Sequence, residues 1–349
     1  MAPTIPKTSR AVVIDSPNAP WTIKEVPVSQ PKQGEILIKV LACGVCHSDS
    51  LIQEGHMGTY PRTPGHEIIG TVVAVGEGEK KWEVGAKVGG GWHGGHDGTC
   101  RACGRGLFQG CDNGTVNGIF RDGGYAEYCI LRTEAVVSIP EDADAAEYAP
   151  LLCAGVTVFN GIRKMQIIPG DVVAIQGLGG LGHLAVQYSR KMGYRTVALS
   201  SSDSKRDFAK KLGANDYIDT SKEDAAEALQ KMGGASLIVV TAPNPKIIGP
   251  LAKGLGPLGK LLILAPVGEV PIDSMTLIGK GASVHGWPAG HALDSEEAIN
   301  FADHQNVKCM VEKYPFDKVE EAVESMMSGK ARFRSVLVME YSFHMLGYS

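Results

Sequence analysis

The stretch "VVAIQGLGGLGHLAVQYSRKMG", residues 172–193, decides the fold. It opens on a short apolar run of the kind a fully buried strand shows, and it closes on a helical stretch. Between them Gly177, Gly179 and Gly182 stand in the order G-x-G-x-x-G, with Gly180 and Leu181 inside the same turn. Strand, glycine turn and helix in that order make a dinucleotide-binding fingerprint. Gly177 permits the tight turn, Gly179 has no side chain to block a pyrophosphate, and Gly182 lets helix and strand pack closely. The first turn of the helix offers free N–H groups to phosphate oxygens.

Working outward, the next strand is "RTVALS", which ends at Ser200. The fingerprint asks for an acidic residue about 20 positions on, to hold ribose hydroxyls. Asp203 lies at about that distance, but it stands three residues past the strand and beside Lys205 and Arg206. Ser200 and Ser201 followed by two cations suit a 2′-phosphate better than a carboxylate would. NADP(H) is therefore favoured, with NAD(H) kept as the alternative, in which Lys205 and Arg206 are a solvated helix face. Further strands follow in "DYID", "SLIVVTA", "GKLLILAP" and "ASVHGW", alternating with helical stretches. That alternation indicates a doubly wound parallel sheet.

Upstream of about residue 155 the pattern differs. "AVVID", "EILIKVLAC", "GTVVAVG" and "EYCILRT" are short β-type runs between Gly and Pro turns. With 349 residues the chain exceeds one core, so two domains are expected. The net charge of −4 argues against a nucleic-acid partner. No run approaches the ~18 apolar residues of a membrane helix, and the first ten residues lack a signal-peptide core. A cytoplasmic protein with reduced thiols is expected.

The eight cysteines fall into groups. Cys46, His66 and Cys153 are dispersed, and a Cys₂His set with an open position is a catalytic zinc arrangement. Each alone also reads as a buried thiol or a structural histidine. A compact knuckle holds Cys100, Cys103 and Cys111, with Asp97 three places before Cys100. Its gap of seven residues fits no zinc-finger pattern.

Together "GVCHSD", "PGHEIIG", "VGGGWHGG", "CRACGRGLFQGC", "GGYAEY", "CAGVTV", "PGDVVAIQGLGGLGH" and "KLGA" resemble the zinc-dependent medium-chain alcohol dehydrogenases, of the microbial and cinnamyl alcohol dehydrogenase kind. The resemblance implies a GroES-like, mostly β catalytic domain over 1–154 and 291–349, around a Rossmann domain over 155–290. It implies that Cys46, His66 and Cys153 bind the catalytic zinc, with Glu67 able to replace water there and Asp49 orienting His66. Ser48 takes the alcohol proton and His47 lies beside the pyrophosphate. Trp92 lines the substrate pocket, with His56 and Tyr60 as further candidates for its wall. Arg334 and Val267 join the cofactor residues.

The same resemblance makes the knuckle a structural zinc lobe, two zinc ions per chain, with Asp97 in place of a fourth cysteine. A buried carboxylate facing three thiolates without a metal is disfavoured, which supports Asp97 as a ligand; His96 is the alternative. A carboxylate clamp is expected to be weaker and more pH-sensitive than four thiolates. Cys43, Cys129 and Cys309 match no ligand position. Relatives often carry a relay histidine where this chain has Leu51. The expected activity is hydride transfer between NADP(H) and a primary alcohol or aldehyde, in a homotetramer or homodimer. A non-catalytic nucleotide-binding member of the fold is the competing class.

Overall fold

The computed structural model describes residues 4–339. The chain forms two compact units. One runs up to Cys153 and adds Gly290–Ile299 and the stretch from Cys309 onward; the other is Ala154–Ala289 with Asn300–Lys308. The expected boundaries near 155 and 290 differ from this division at residues 300–308, which pack with the second unit. There Phe301 meets Phe159 at 5.3 Å and Tyr188 at 5.7 Å between ring centroids.

The second unit is a six-stranded parallel sheet flanked by helices. Along the sheet the strands are Asp216–Asp219, Arg195–Ser200, Val172–Gln176, Ala235–Val240, Leu255–Ile263 and Ser283–Gly286. In chain order that is third, second, first, fourth, fifth, sixth. The order reverses between the first and fourth strands, and a doubly wound sheet binds its ligand outside the carboxyl ends at such a point. Val172–Gln176 is buried throughout, as a central parallel strand covered on both faces must be. The glycine turn leaves its carboxyl end and enters the helix Gly182–Lys191.

The first unit is mostly β. Glu35–Gly44 is its central strand. The first half of that strand pairs with Tyr128–Arg132 and the second half with Arg334–Val338, both antiparallel. Ile68–Val75, Lys87–Gly90 and Val136–Ser138 continue the sheet on one side, and Val311–Pro315 closes the other. A short helix, His47–Gln53, follows the central strand and carries the "CHSD" motif at its start. Among the described residues no single helix is long and apolar enough to cross a membrane.

Candidate functional site

Cys46, His66, Glu67 and Cys153 place one donor atom each within 4.8 Å of one another. Cys46 precedes the helix His47–Gln53, and its backbone N–H donates to Asp49 Oδ2 at 2.9 Å. His66 and Glu67 stand just before the strand Ile68–Val75. Cys153 lies between the short turn Ala149–Leu152 and the helix Ala154–Lys164. Cys46 Sγ and Cys153 Sγ are 3.8 Å apart. Their shared contact, ahead of the burial that opposes it, holds the Cys46 thiol well below its ordinary value and helps push Cys153 up. His66 is fully buried, and neither Nδ1 nor Nε2 has a hydrogen-bond partner. Burial disfavours the charged ring, but Asp49 and Cys46 outweigh it and hold His66 well above its usual value.

Glu67 is also fully buried. One of its oxygens is paired with the Arg334 guanidinium, and Oε2 has no hydrogen-bond partner. Burial raises the Glu67 carboxyl to about 7, against the pull of Arg334. Arg334, expected at the cofactor, is buried in this structure as the counterion of Glu67. Two thiols, an imidazole nitrogen without a partner and a free carboxylate oxygen suit zinc, whose preferred donors are sulfur and nitrogen with oxygen accepted.

Ser48 Oγ lies 3.8 Å from Cys46 Sγ, at the edge of this cluster. His47, one residue back, is exposed. Trp92 sets its ring edge-on to His66 at 5.0 Å and packs, as Met57 and Tyr60 also do, against the buried cluster of Ile14, Ile52 and Ile119. The structure does not bring His56 to this wall: its side chain is two-thirds exposed and sits 3.5 Å from Glu54.

The second donor group is Asp97, Cys100, Cys103 and Cys111, again within 4.8 Å. Asp97 Oδ1 lies 3.6 Å from Cys103 Sγ and 3.4 Å from Cys111 Sγ. His96 is not in the group; its Nδ1 is 3.0 Å from His93 Nε2, and its ring stacks on Phe108. Two corrections follow. Asp97 is exposed, and it accepts from Asn113 Nδ2 at 2.6 Å and from the Thr99 N–H at 2.8 Å. The carboxylate is thus neither buried nor unpaired, and what favours a metal here is the convergence of one carboxylate and three thiols. Asn113 first, then the Thr99 N–H, hold this carboxyl well below the usual range. It stays ionised across neutral pH, so the carboxylate does not make the clamp pH-sensitive.

In the second unit a cleft of ≈ 560 Å³ opens beside the glycine turn, lined by Gly177, Gly179, Ser200, Ser201 and Lys205 among others. Gly177 has φ +92, a left-handed value that only glycine adopts easily. A Cβ on Gly182 would stand 1.9 Å from Gly177 O, whereas one on Gly179 would meet nothing within 4 Å. The turn is therefore packed at its third glycine and open at its second, as a pyrophosphate requires. His183 Nδ1 lies 3.2 Å from Gly179 O and braces the open peptide. Asp203 is held by Arg206 Nε at 2.6 Å and Lys222 Nζ at 3.2 Å. Arg206 stacks on Tyr217 at 4.7 Å and is not part of the lining, in contrast to Lys205. Val267 is half-buried and packs against the sheet's core instead of lining the cleft.

The family comparisons agree with this architecture. The alcohol dehydrogenase GroES-like domain matches residues 32–141, and the zinc-binding dehydrogenase domain matches residues 180–304. The chain is 59% identical to alcohol dehydrogenase patD of Penicillium expansum, over 97% of this chain and 100% of that one. It is 37% identical to an alcohol dehydrogenase of Geobacillus stearothermophilus, over 95% and 99% respectively. Among solved structures, a cinnamyl alcohol dehydrogenase of Sorghum bicolor aligns with a TM-score of 0.85 at 28% identity, covering 96% of this chain and 100% of that one. An acetophenone reductase of Geotrichum candidum in complex with NAD aligns at 0.85 with 27% identity, covering 97% and 99%. The chain belongs to the zinc-dependent medium-chain alcohol dehydrogenase family, oxidoreductases with a GroES-like and a Rossmann-type domain.

Sequence reading gave no role to Tyr125, Asn113 or Gly44, all of which touch the two donor groups or their partners. Tyr125 lies in the quoted "GGYAEY", but the motif does not say which group its hydroxyl meets.

Proposed function

We propose that this enzyme is a zinc-dependent alcohol dehydrogenase and aldehyde reductase that moves hydride between NADP(H) and a primary alcohol or aldehyde. The convergence of Cys46, His66 and Cys153 around an unpartnered His66 Nε2 carries the reading. Zinc held there supplies Lewis acidity, which lowers the pKa of an oxygen ligand, for water from 15.7 to about 7. Cys46 and Cys153 add thiolate charge that tempers that acidity. Ser48 Oγ, beside Cys46, accepts the substrate hydroxyl proton during oxidation and returns it during reduction. His47 passes the proton to solvent, since it is exposed and Leu51 offers no further relay. Trp92 narrows the apolar wall beside His66 and favours slim primary substrates.

Asp97, Cys100, Cys103 and Cys111 hold a second, structural zinc in this reading. The preference for NADP(H) is supported by Ser200, Ser201 and Lys205 along the cleft, with Asp203 already engaged by two cations. A homodimer or homotetramer in the cytoplasm completes the proposal.

The test is zinc analysis with kinetics on one primary aldehyde. Two zinc ions per chain, loss of one ion and of activity in Cys46→Ser, and a higher kcat/KM with NADPH than with NADH are expected. Full activity in Cys46→Ser refutes the zinc chemistry. A preference for NADH refutes the cofactor reading and leaves the zinc reading intact.

A further inference from the structure

Behind the Cys46–His66–Cys153 cluster lies one carboxylate that touches two of its three expected ligands. Asp49 is fully buried. Its Oδ2 accepts from the Cys46 backbone N–H at 2.9 Å and from the Tyr125 hydroxyl at 3.0 Å. Its Oδ1 accepts from the Gly65 N–H at 3.3 Å and lies 3.2 Å from His66 Nδ1. A carboxylate set against one ring nitrogen leaves the other to face the metal. What fixes the carboxylate is then a question with a structural answer.

We propose that the Tyr125 hydroxyl is a positioning group for the metal cluster, acting through Asp49 on Cys46 and His66. This rests on the zinc reading above. Tyr125 is fully buried, and its backbone is locked to the segment before His66: its N–H donates to Pro64 O at 3.0 Å, and the Gly124 N–H donates to Gly65 O at 3.0 Å. The ring packs against Gly65, where a Cβ would stand 2.5 Å from Tyr125 Cδ1. Gly65 has φ +98, so the turn before His66 both needs glycine and leaves the space the ring fills. The ring therefore cannot swing, and the phenol, a donor at neutral pH, points at one oxygen. Without it, Oδ2 keeps only the Cys46 N–H, and the carboxylate can rotate toward Gly65 and away from that ligand.

Tyr125→Phe keeps the ring and removes the hydroxyl, so packing and positioning separate. The readout is zinc transfer from purified holoenzyme to a competing chromophoric chelator. The kinetic phase missing in Cys46→Ser belongs to this cluster. Tyr125→Phe should speed that phase by roughly 10-fold or more, the range seen when outer partners of metal ligands are lost, while leaving thermal unfolding in saturating zinc nearly unchanged. Asp49→Asn should speed it at least as much, and the double variant should add little beyond Asp49→Asn, because both act through one carboxylate. An unchanged phase in Tyr125→Phe, or effects that multiply in the double variant, overturns the proposal. If Cys46→Ser removes no phase, the zinc reading itself is wrong.

Discussion

Replacing Gly44 by alanine should destabilise the enzyme through Glu67. Gly44 ends the central strand and is buried. An alanine Cβ there would stand 1.9 Å from Glu67 Oε2, 2.8 Å from its Cδ and 3.0 Å from its Cβ. The carboxylate can turn, but Glu67 Cβ is fixed by the backbone, so rotation alone does not clear the contact. Turning also pulls the carboxylate from Arg334, and the two side chains are only 0% and 7% exposed. Separating a buried ion pair costs about 3–5 kcal/mol. Alanine in place of glycine returns about 0.4–1 kcal/mol through the unfolded chain. The net loss is about 2–4 kcal/mol, roughly 30- to 1000-fold in the folding equilibrium. Urea unfolding of zinc-loaded protein, followed by tryptophan fluorescence, reads it. Gly279→Ala is the internal comparison: this glycine is exposed in the helix Ser274–Lys280 with nothing within 4 Å of its Cβ position. It should gain about 0.5–1 kcal/mol. Wild-type stability in Gly44→Ala, within about 0.5 kcal/mol, would show that Glu67 is not pinned between Gly44 and Arg334 and would refute the reasoning.

Asp97→Ala should lower the zinc content by one ion per chain and reduce thermal stability, as read by metal analysis and calorimetry; two ions retained count against the lobe. The pH dependence of that lobe has a definite sign. Asp97 is held below the usual carboxylate range, so it binds metal near neutrality without releasing a proton, whereas a thiol of pKa about 8.5 must release one. Asp97→Cys should therefore steepen the pH dependence of lobe zinc affinity between pH 6 and 8 by up to about one proton; equal slopes in competition titrations refute this. Ser200→Asp should lower kcat/KM with NADPH by roughly 100-fold or more through like-charge repulsion, about 4 kcal/mol per unit charge at 4 Å near a protein surface, and spare NADH. Equal losses with both cofactors speak against a 2′-phosphate beside Ser200.

The Rossmann sheet was legible because a strand covered on both faces must be apolar throughout, and "VVAIQ" and "SLIVVTA" read so. The knuckle was legible because its donors are local in sequence. Cys46, His66 and Cys153 stand tens of residues apart, and their spacing carries no signal; the motifs around them did. That residues 300–308 pack with the second unit was not legible, because the helix Ala292–Gln305 is one continuous pattern and nothing in it says that Phe301 meets Phe159 and Tyr188. Asp203 stood at a plausible distance from the glycines, but its second partner, Lys222, lies 19 residues on. The hydroxyl of Tyr125 and the amide of Asn113 act only after folding brings Asp49 and Asp97 to them.

The pairing of Arg334 with Glu67 joins residues 267 positions apart. A ribosome adding about 5–20 residues per second makes Glu67 tens of seconds before its counterion exists. Through that interval the second half of Glu35–Gly44 also lacks Arg334–Val338, its antiparallel neighbour. The sheet Asp216–Asp219 to Ser283–Gly286 has all its strands by residue 286 and waits for none of this. In the growing chain the nucleotide-binding half is free to fold while the older, metal-binding half is still unfinished. A chain halted between Glu67 and Arg334 carries a bare strand edge and an uncompensated acid, the kind of exposed, half-made sheet that invites aggregation.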